Sequence, residues 1–498
     1  MDDAIVIGSG PNGLVAAAVL ARQGWRVLVL EASDRPGGAL YSLETTLPGF
    51  IHDVGAAFFP FAQHSPALRA LDLEGVGLEW RQGLIESSHP APDGTCASIA
   101  SDIERSAKSF GADGDAWRRL ATWQQAMGSR LVDALLAPLP ALGAALRLGI
   151  GNALGLLQAG MSTAAGFSCR HFRTEAARRV LPGLALHVDL GPDDFSGAGL
   201  GLVLALLAAG SGFRVPVGGA RAITNALLRR IEEHGGRVRL GSRVRDIVVR
   251  GRRAVAVRTD SGDEIPAKRA ILADVGAPAL FLKLLPAGSV PSHLRRAMTR
   301  FEYGWGTFKV DWALSGPVPW NHREPRQAAV VHAGDSLADL RRFTAEVRRG
   351  ELPSNPYLVI GQQSLLDPGR APAGCHTLWA YSHAPSVVAG GWAKWRETLA
   401  ERIDQRIEGL APGFRALIKA RTIFSPEDME AMNENLVGGD LGGGSARFRQ
   451  QLFLRPAFPY FRHRTPVRGL YLASASCHPG AGVHGACGFN AAHAALRE

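Results

Sequence analysis

The sequence predicts an α/β protein in which one sheet-and-helix body is assembled from separated stretches of chain, with a second, α+β body of apolar helices inserted between them. Three observations carry that expectation. The chain opens with a strand, a glycine turn, a helix and a second strand; two later stretches resume the same apolar strand character; and the long regions between them are rich in Trp, Leu and Pro. At 498 residues the chain also exceeds the ~100 to 200 residues of one domain, so at least two packed bodies are expected.

The opening unit is the most specific. Ala4-Ile5-Val6-Ile7 is an apolar run suited to a buried parallel strand. Gly8, Gly10 and Gly13 complete GxGxxG, residues 14–22 form a helix rich in Ala and Leu, and Gln23-Gly24 ends it. Residues 25–30 read as a second strand closing on Glu31. In such a unit the first glycine makes the tight turn, the second lets backbone approach a pyrophosphate, and the third lets helix pack on strand. The helix N-terminus then offers free N–H groups and a positive dipole to the phosphates. Glu31 is placed to accept from the adenosine ribose hydroxyls, and its charge would repel a 2′-phosphate.

Further along, residues 131–168 and 196–213 are the most apolar stretches, each broken by Gly or Pro. Buried helices lining an apolar cavity are expected there, with contact on a bilayer face as the second reading. Gly149, Gly151 and Gly155 have GxGxxxG spacing without a preceding strand, which predicts small residues in a packed helix. With one fingerprint, no second site for NAD(P) is expected.

Residues 215–219 lead into a helix over 222–233, then strands at 237–240, 244–249 and 254–258, and an apolar run at 270–273. The last piece is a strand over 469–473, a glycine-rich loop over 477–485 and a terminal helix. Residues 1–75, 215–275 and 435–498 are therefore assigned to the dinucleotide body, and 76–214 and 276–434 to a substrate-binding body.

Composition excludes several classes. Net charge is +10, but 49 of the 55 basic residues are Arg and they form no block, so nucleic acid is not an expected partner. Five cysteines without a CxxC pair argue against a disulfide framework and against a metal site. Met1-Asp2-Asp3 runs straight into a strand, unlike a secretory leader. A cytoplasmic protein is expected, with a peripheral position at the inner face of the membrane as the variant.

Beyond the fingerprint, Arg35-Pro36-Gly37-Gly38, His52-Asp53-Val54-Gly55, Pro216-Val217-Gly218-Gly219 and His478-Pro479-Gly480-Ala481-Gly482 resemble stretches of the phytoene desaturase-like flavoproteins related to amine oxidases. The resemblance runs in order along nearly the whole chain and is thin between about residues 80 and 210. It implies a Rossmann-like FAD-binding domain of the GR2 flavoprotein type. Gly8, Gly10, Gly13 and Glu31 would hold the ADP half of FAD, with Arg35, Gly37 and Gly38 nearer the pyrophosphate and flavin and Val244 offering backbone to the adenine. Pro479, Gly480 and Gly482 would close over the isoalloxazine, where a loop opening a helix supplies donors to the edge that becomes anionic on reduction.

The activity implied is desaturation of an apolar, isoprenoid or lipid-like substrate by hydride transfer to flavin, with oxygen or a membrane quinone as electron acceptor. Trp305, Trp312, Trp379 and Trp392 are candidates to line the channel. His52, Asp53, His478 and His484 are the candidate proton-transfer groups. His484 and Cys487 depart from the carotenoid-acting branch. Cys477 beside His478 resembles a nucleophile and base, but neighbours on a loop seldom point together. A flavin amine oxidase, a double-bond saturase or isomerase, and a non-catalytic flavin-binding scaffold are the alternatives.

Overall fold

A computed structural model describes residues 1–62 and 64–498. Its first sheet begins with β1 (Asp2–Ile7), α1 (Pro11–Arg22) and β2 (Val27–Leu30). The chain then crosses to the second sheet through β3 (Ile85–Pro90) and β4 (Cys96–Ile99), and passes the helices α2 (Leu142–Leu148), α3 (Ile150–Gly160), α4 (Val180–Ala185) and α5 (Gly197–Gly210). It returns through α6 (Arg221–Glu233), β5 (Arg237–Arg239), β6 (Val244–Arg250), β7 (Arg253–Thr259) and β8 (Glu264–Ala273). The second sheet is completed by β9 (Gly306–Leu314), β10 (Ala328–Ala333), β11 (Leu358–Gly361), β12 (His376–Ala384), α7 (Trp392–Leu410) and β13 (Ile418–Phe424). β14 (Leu470–Leu472) and α8 (Ala486–Leu496) come home to the first.

In the first sheet the parallel order is β5-β2-β1-β8-β14, and β8 continues into an antiparallel meander with β7 and β6. β1, β2, β14 and the end of β8 are apolar on both faces because both are covered, whereas the edge strand β5 is Arg-Val-Arg with both arginines exposed. α1, α6 and α8 pack on one face, and the meander with residues 277–298 closes the other. The chain ends meet here. A Cβ on Gly488 of α8 would stand 1.8 Å from the Asn12 carbonyl oxygen, so only glycine lets α8 reach α1 at that crossing.

The second sheet runs β13-β9-β12-β11-β10-β3-β4. One face packs on α7 through Leu399, Ile403 and Ile407, with Trp312 and Trp392 in that core. The opposite face, carrying Trp379, meets the helical layer of α4 and α5, with Trp305 packed against this core. Of the four tryptophans expected to line a channel, Trp312 and Trp392 are thus core residues; Trp312 donates to Asp404 at 2.9 Å.

The apolar middle segments divide. α5 is buried along nearly its whole length, as expected. α2 and α3 are not: Leu142, Leu146, Ile150, Leu154, Leu157 and Met161 are 58% to 70% exposed. Their spacing of three or four places them along one stripe that the described residues leave uncovered, while the opposite face of α3 packs as the sequence reading of 149–155 expects, with Gly155 against Trp123 and Ala153, Leu156 and Ala159 on the core. Among the described residues no helix is long and apolar enough to cross a membrane.

Candidate functional site

The opening turn is a cradle that side chains would fill. A Cβ on Gly13 would lie 2.2 Å from the Gly8 carbonyl oxygen, and one on Gly10 would lie 2.6 Å from Asp274 Oδ2. Gly37 donates its N–H to the Ser9 carbonyl at 3.0 Å, and Gly38 lies against Gly10, which brings the glycine pair onto the first turn. Glu31 receives the Ser9 N–H at 2.7 Å and the Ser33 N–H at 2.9 Å. Ser242 donates to the Glu31 carbonyl at 2.7 Å, so the approach to Val244 passes beside the same acid. Arg35 lies over the Tyr41 ring at 5.1 Å, with its guanidinium half exposed beside this turn. Asn12 Oδ1 is buried and unpaired at the mouth of α1.

Asp274 was missed by sequence reasoning. It follows β8, the strand beside β1, where the end of a parallel strand faces the ligand crevice. Its Oδ2 accepts the Gly13 N–H at 2.8 Å, and burial raises its pKa to about 7 against that bond, with Glu31 adding repulsion. The signal available in the sequence was an acid directly after the apolar run 270–273.

The terminal loop lies across the same crevice. Gly480 and Gly482 have φ of 99° and 118°. Arg455 is buried beneath Gly480 and donates to the carbonyls of Gly442 at 2.8 Å, Ser445 at 3.0 Å and Ala475 at 2.9 Å. A buried guanidinium under the loop and the N-terminus of α8 together place positive potential at this loop. No local pattern pointed to Arg455, whose contacts depend on chain folding back over residues 442–475.

The four proton-transfer candidates separate. Asp53 bonds Ser42 Oγ at 2.6 Å and the Ala220 N–H at 2.7 Å, and forms a buried ion pair with Arg370. Its oxygens are committed to tying β-bridge residues 42 and 53 to α6, which corrects its candidacy. His52 shares a hydrogen bond with Thr46 Oγ1 at 2.9 Å and lies beside Asp311 of β9; burial lowers its pKa to about 4. That position is a joint with the second sheet, but its Nδ1 is buried without a hydrogen-bond partner, so its atoms are not all committed as those of Asp53 are. His478 donates through Nε2 to the Ala137 carbonyl at 3.0 Å, which anchors the terminal loop. His484 also keeps an unused atom: Nδ1 accepts the Ala486 N–H at 3.0 Å, so Nε2 carries the proton and is buried without a hydrogen-bond partner, its ring against Phe61 and Gly482. Burial holds it neutral, with pKa about 4. Cys477 contacts His463 Nδ1 at 3.1 Å rather than His478, and burial pushes its thiol up, away from thiolate chemistry.

From the glycine pair the crevice leads to the second sheet. Gly55 packs so closely on the Ala39 carbonyl that a Cβ would stand 2.3 Å from it. Phe58 then meets Trp379 at 6.0 Å, Trp379 meets Tyr381 at 5.6 Å, and Tyr381 meets His187 at 6.3 Å. Tyr381 and His187 keep accessible surface deep inside the protein and so border an internal cavity, with part-exposed Phe58 and Trp305 beside Trp379 and His383.

Fold and site together define a flavoprotein oxidoreductase, and FAD is its cofactor. The chain belongs to the flavin containing amine oxidoreductase family, whose model matches residues 12–495. It is 28% identical to pyridine nucleotide-disulfide oxidoreductase domain-containing protein 2 of Rattus norvegicus, over all of this chain and 93% of that one. It is 25% identical to the neurosporene-forming phytoene desaturase of Cereibacter sphaeroides, over 98% of this chain and 93% of that one. The structure of putrescine oxidase bound to putrescine superposes with a TM-score of 0.62 at 17% identity, covering 100% of this chain and 99% of that one.

Proposed function

We propose that the protein dehydrogenates an apolar substrate to form a C=C bond. The observation that carries this reading is the run of aromatic side chains Phe58, Trp379, Tyr381 and Trp305 beside the cavity that Tyr381 and His187 border. FAD bound there would supply the acceptor for a hydride from one carbon, the neighbouring carbon losing its hydrogen as a proton to solvent. Gly8, Gly10, Gly13 and Glu31 hold the ADP half; Arg35, Gly37 and Gly38 hold the pyrophosphate side; backbone at Val244 meets the adenine; and Pro479, Gly480 and Gly482 cover the flavin. Arg455 and the start of α8 would supply positive potential to the flavin from beneath the terminal loop. The aromatic walls orient the substrate and exclude water. Oxygen or a quinone takes the electrons.

Substrate of this kind resides in membranes, and the exposed stripe of α2 and α3 offers a way to reach it. Arg462 donates to the Leu139 carbonyl at 3.2 Å, and Phe448 meets Phe195 at 5.1 Å, so residues 448–458 with exposed Phe448, Phe453 and Phe458 form a second apolar lip on the same side. Peripheral contact through these lips is part of the proposal. Amine oxidation is the second reading, supported by the family and by the putrescine oxidase fold. Anaerobic titration of the purified yellow holoprotein separates them: bleaching by polyenes or terpenoids but not by amines is expected, bleaching by amines alone overturns desaturation, and protein that stays colourless with added FAD overturns both.

A further inference from the structure

The cavity floor carries hydrogen-bonding groups that a hydrocarbon would leave unused. His187 Nε2 lies 2.8 Å from His332 Nε2, and Ser87 Oγ bridges His332 Nδ1 at 3.0 Å and His89 Nε2 at 2.9 Å. Burial lowers the pKa of all three rings, that of His187 to about 3, so the row is neutral. A bond between two neutral Nε2 atoms forces opposite roles on the rings. If the bonds run from His89 towards His187, His187 Nδ1 carries a proton; if they run the other way, it is a bare acceptor. His187 therefore offers the cavity a donor or an acceptor with no change of charge.

The far end of the row is closed. The His89 carbonyl accepts from Arg179 at 2.7 Å, and this buried guanidinium opposes a cation on His89, so the row is unsuited to carrying a proton away. Recognition is the role left. Beside His187 stands Tyr381, edge to face at 6.3 Å, whose hydroxyl has no hydrogen-bond partner among the described residues. No counter-charge is free for an ammonium: Asp189, the acid that acts on neighbouring His383, is taken by Ser445 and by the Ala446 N–H at 2.7 Å.

We infer that Tyr381 and His187 together bind one uncharged oxygen, a carbonyl or hydroxyl, of an otherwise apolar substrate. The inference rests on the cavity being the substrate pocket, and it sets this chain's substrate apart from pure hydrocarbons and from amines. Neither group reacts; both are positioning residues that fix which carbon faces the flavin.

The test uses full-length, FAD-loaded protein and quenching of tryptophan fluorescence by limonene, carveol, carvone and cyclohexylamine. Carvone and carveol are expected to bind about tenfold tighter than limonene, the scale of one buried hydrogen bond left unmade. Tyr381→Phe should remove most of that advantage and leave limonene unchanged, and His187→Gln, which keeps one hydrogen-bonding group, should reduce it less. Equal affinities for carvone and limonene, tightest binding of the amine, or an equal loss for both terpenoids in Tyr381→Phe would overturn the inference. Quenching reads binding without flavin chemistry, so a holoprotein that no ligand bleaches would count against desaturation while the binding order still decides this site.

Discussion

Replacing Asp274 by Asn tests whether the opening turn holds a protonated acid. Its Oδ2 accepts from Gly13 at 2.8 Å inside the cradle, and burial raises its pKa from 3.8 to about 7. The folded chain then binds this proton more tightly than the unfolded chain. The stability it contributes is complete below pH 3.8 and is lost as pH rises through about 7. A shift of this size corresponds to about 4 kcal/mol, of which roughly 2 to 3 kcal/mol falls between about pH 5 and 8. Asn keeps the shape and an acceptor for Gly13 but does not titrate. Urea unfolding of the apoproteins across this range should therefore show the variant gaining on the wild type by roughly 2 to 3 kcal/mol as pH rises. A difference that stays flat with pH refutes the argument. Because the pyrophosphate would bring like charge to the same turn, the variant should also bind FAD more tightly at high pH, measured by quenching of flavin fluorescence.

Asp53→Asn breaks the buried pair with Arg370 and should cost about 3 to 5 kcal/mol in urea unfolding, while the pH profile of turnover keeps its shape; a displaced profile would restore Asp53 as a proton-transfer group. Gly488→Ala drives a methyl into the Asn12 carbonyl and should destabilise by about 1 to 3 kcal/mol or more, with weaker FAD retention on gel filtration, whereas an unchanged melting temperature would contradict the α1–α8 crossing. Leu146→Asp with Leu154→Asp alters exposed positions and should change stability by no more than about 0.5 kcal/mol each, yet strip the protein from anionic vesicles in a flotation assay. Vesicle binding that survives the double change would remove α2 and α3 from the membrane-facing surface.

The opening βαβ unit was legible because each of its parts is local: a four-residue apolar run, three glycines and a closing acid lie within one short stretch, and covered parallel strands leave no alternation to misread. The terminal glycine loop was legible for the same reason. The apolar stretch around 142–160 was misjudged because composition reports how apolar a helix is but not whether another element covers it.

By itself the sequence determined which stretches make glycine turns between strand and helix and which are apolar, since turn chemistry and periodicity are properties of neighbouring residues. Only the tertiary structure decided that Asp274 enters the first turn, that Arg455 lies under Gly480, that Asp53 is spent on Arg370, and that His187, His332, Ser87 and His89 form one row. Those partners lie as far as 317 positions apart, and the free energy that joins them comes from burial and exclusion of water, which no local pattern records.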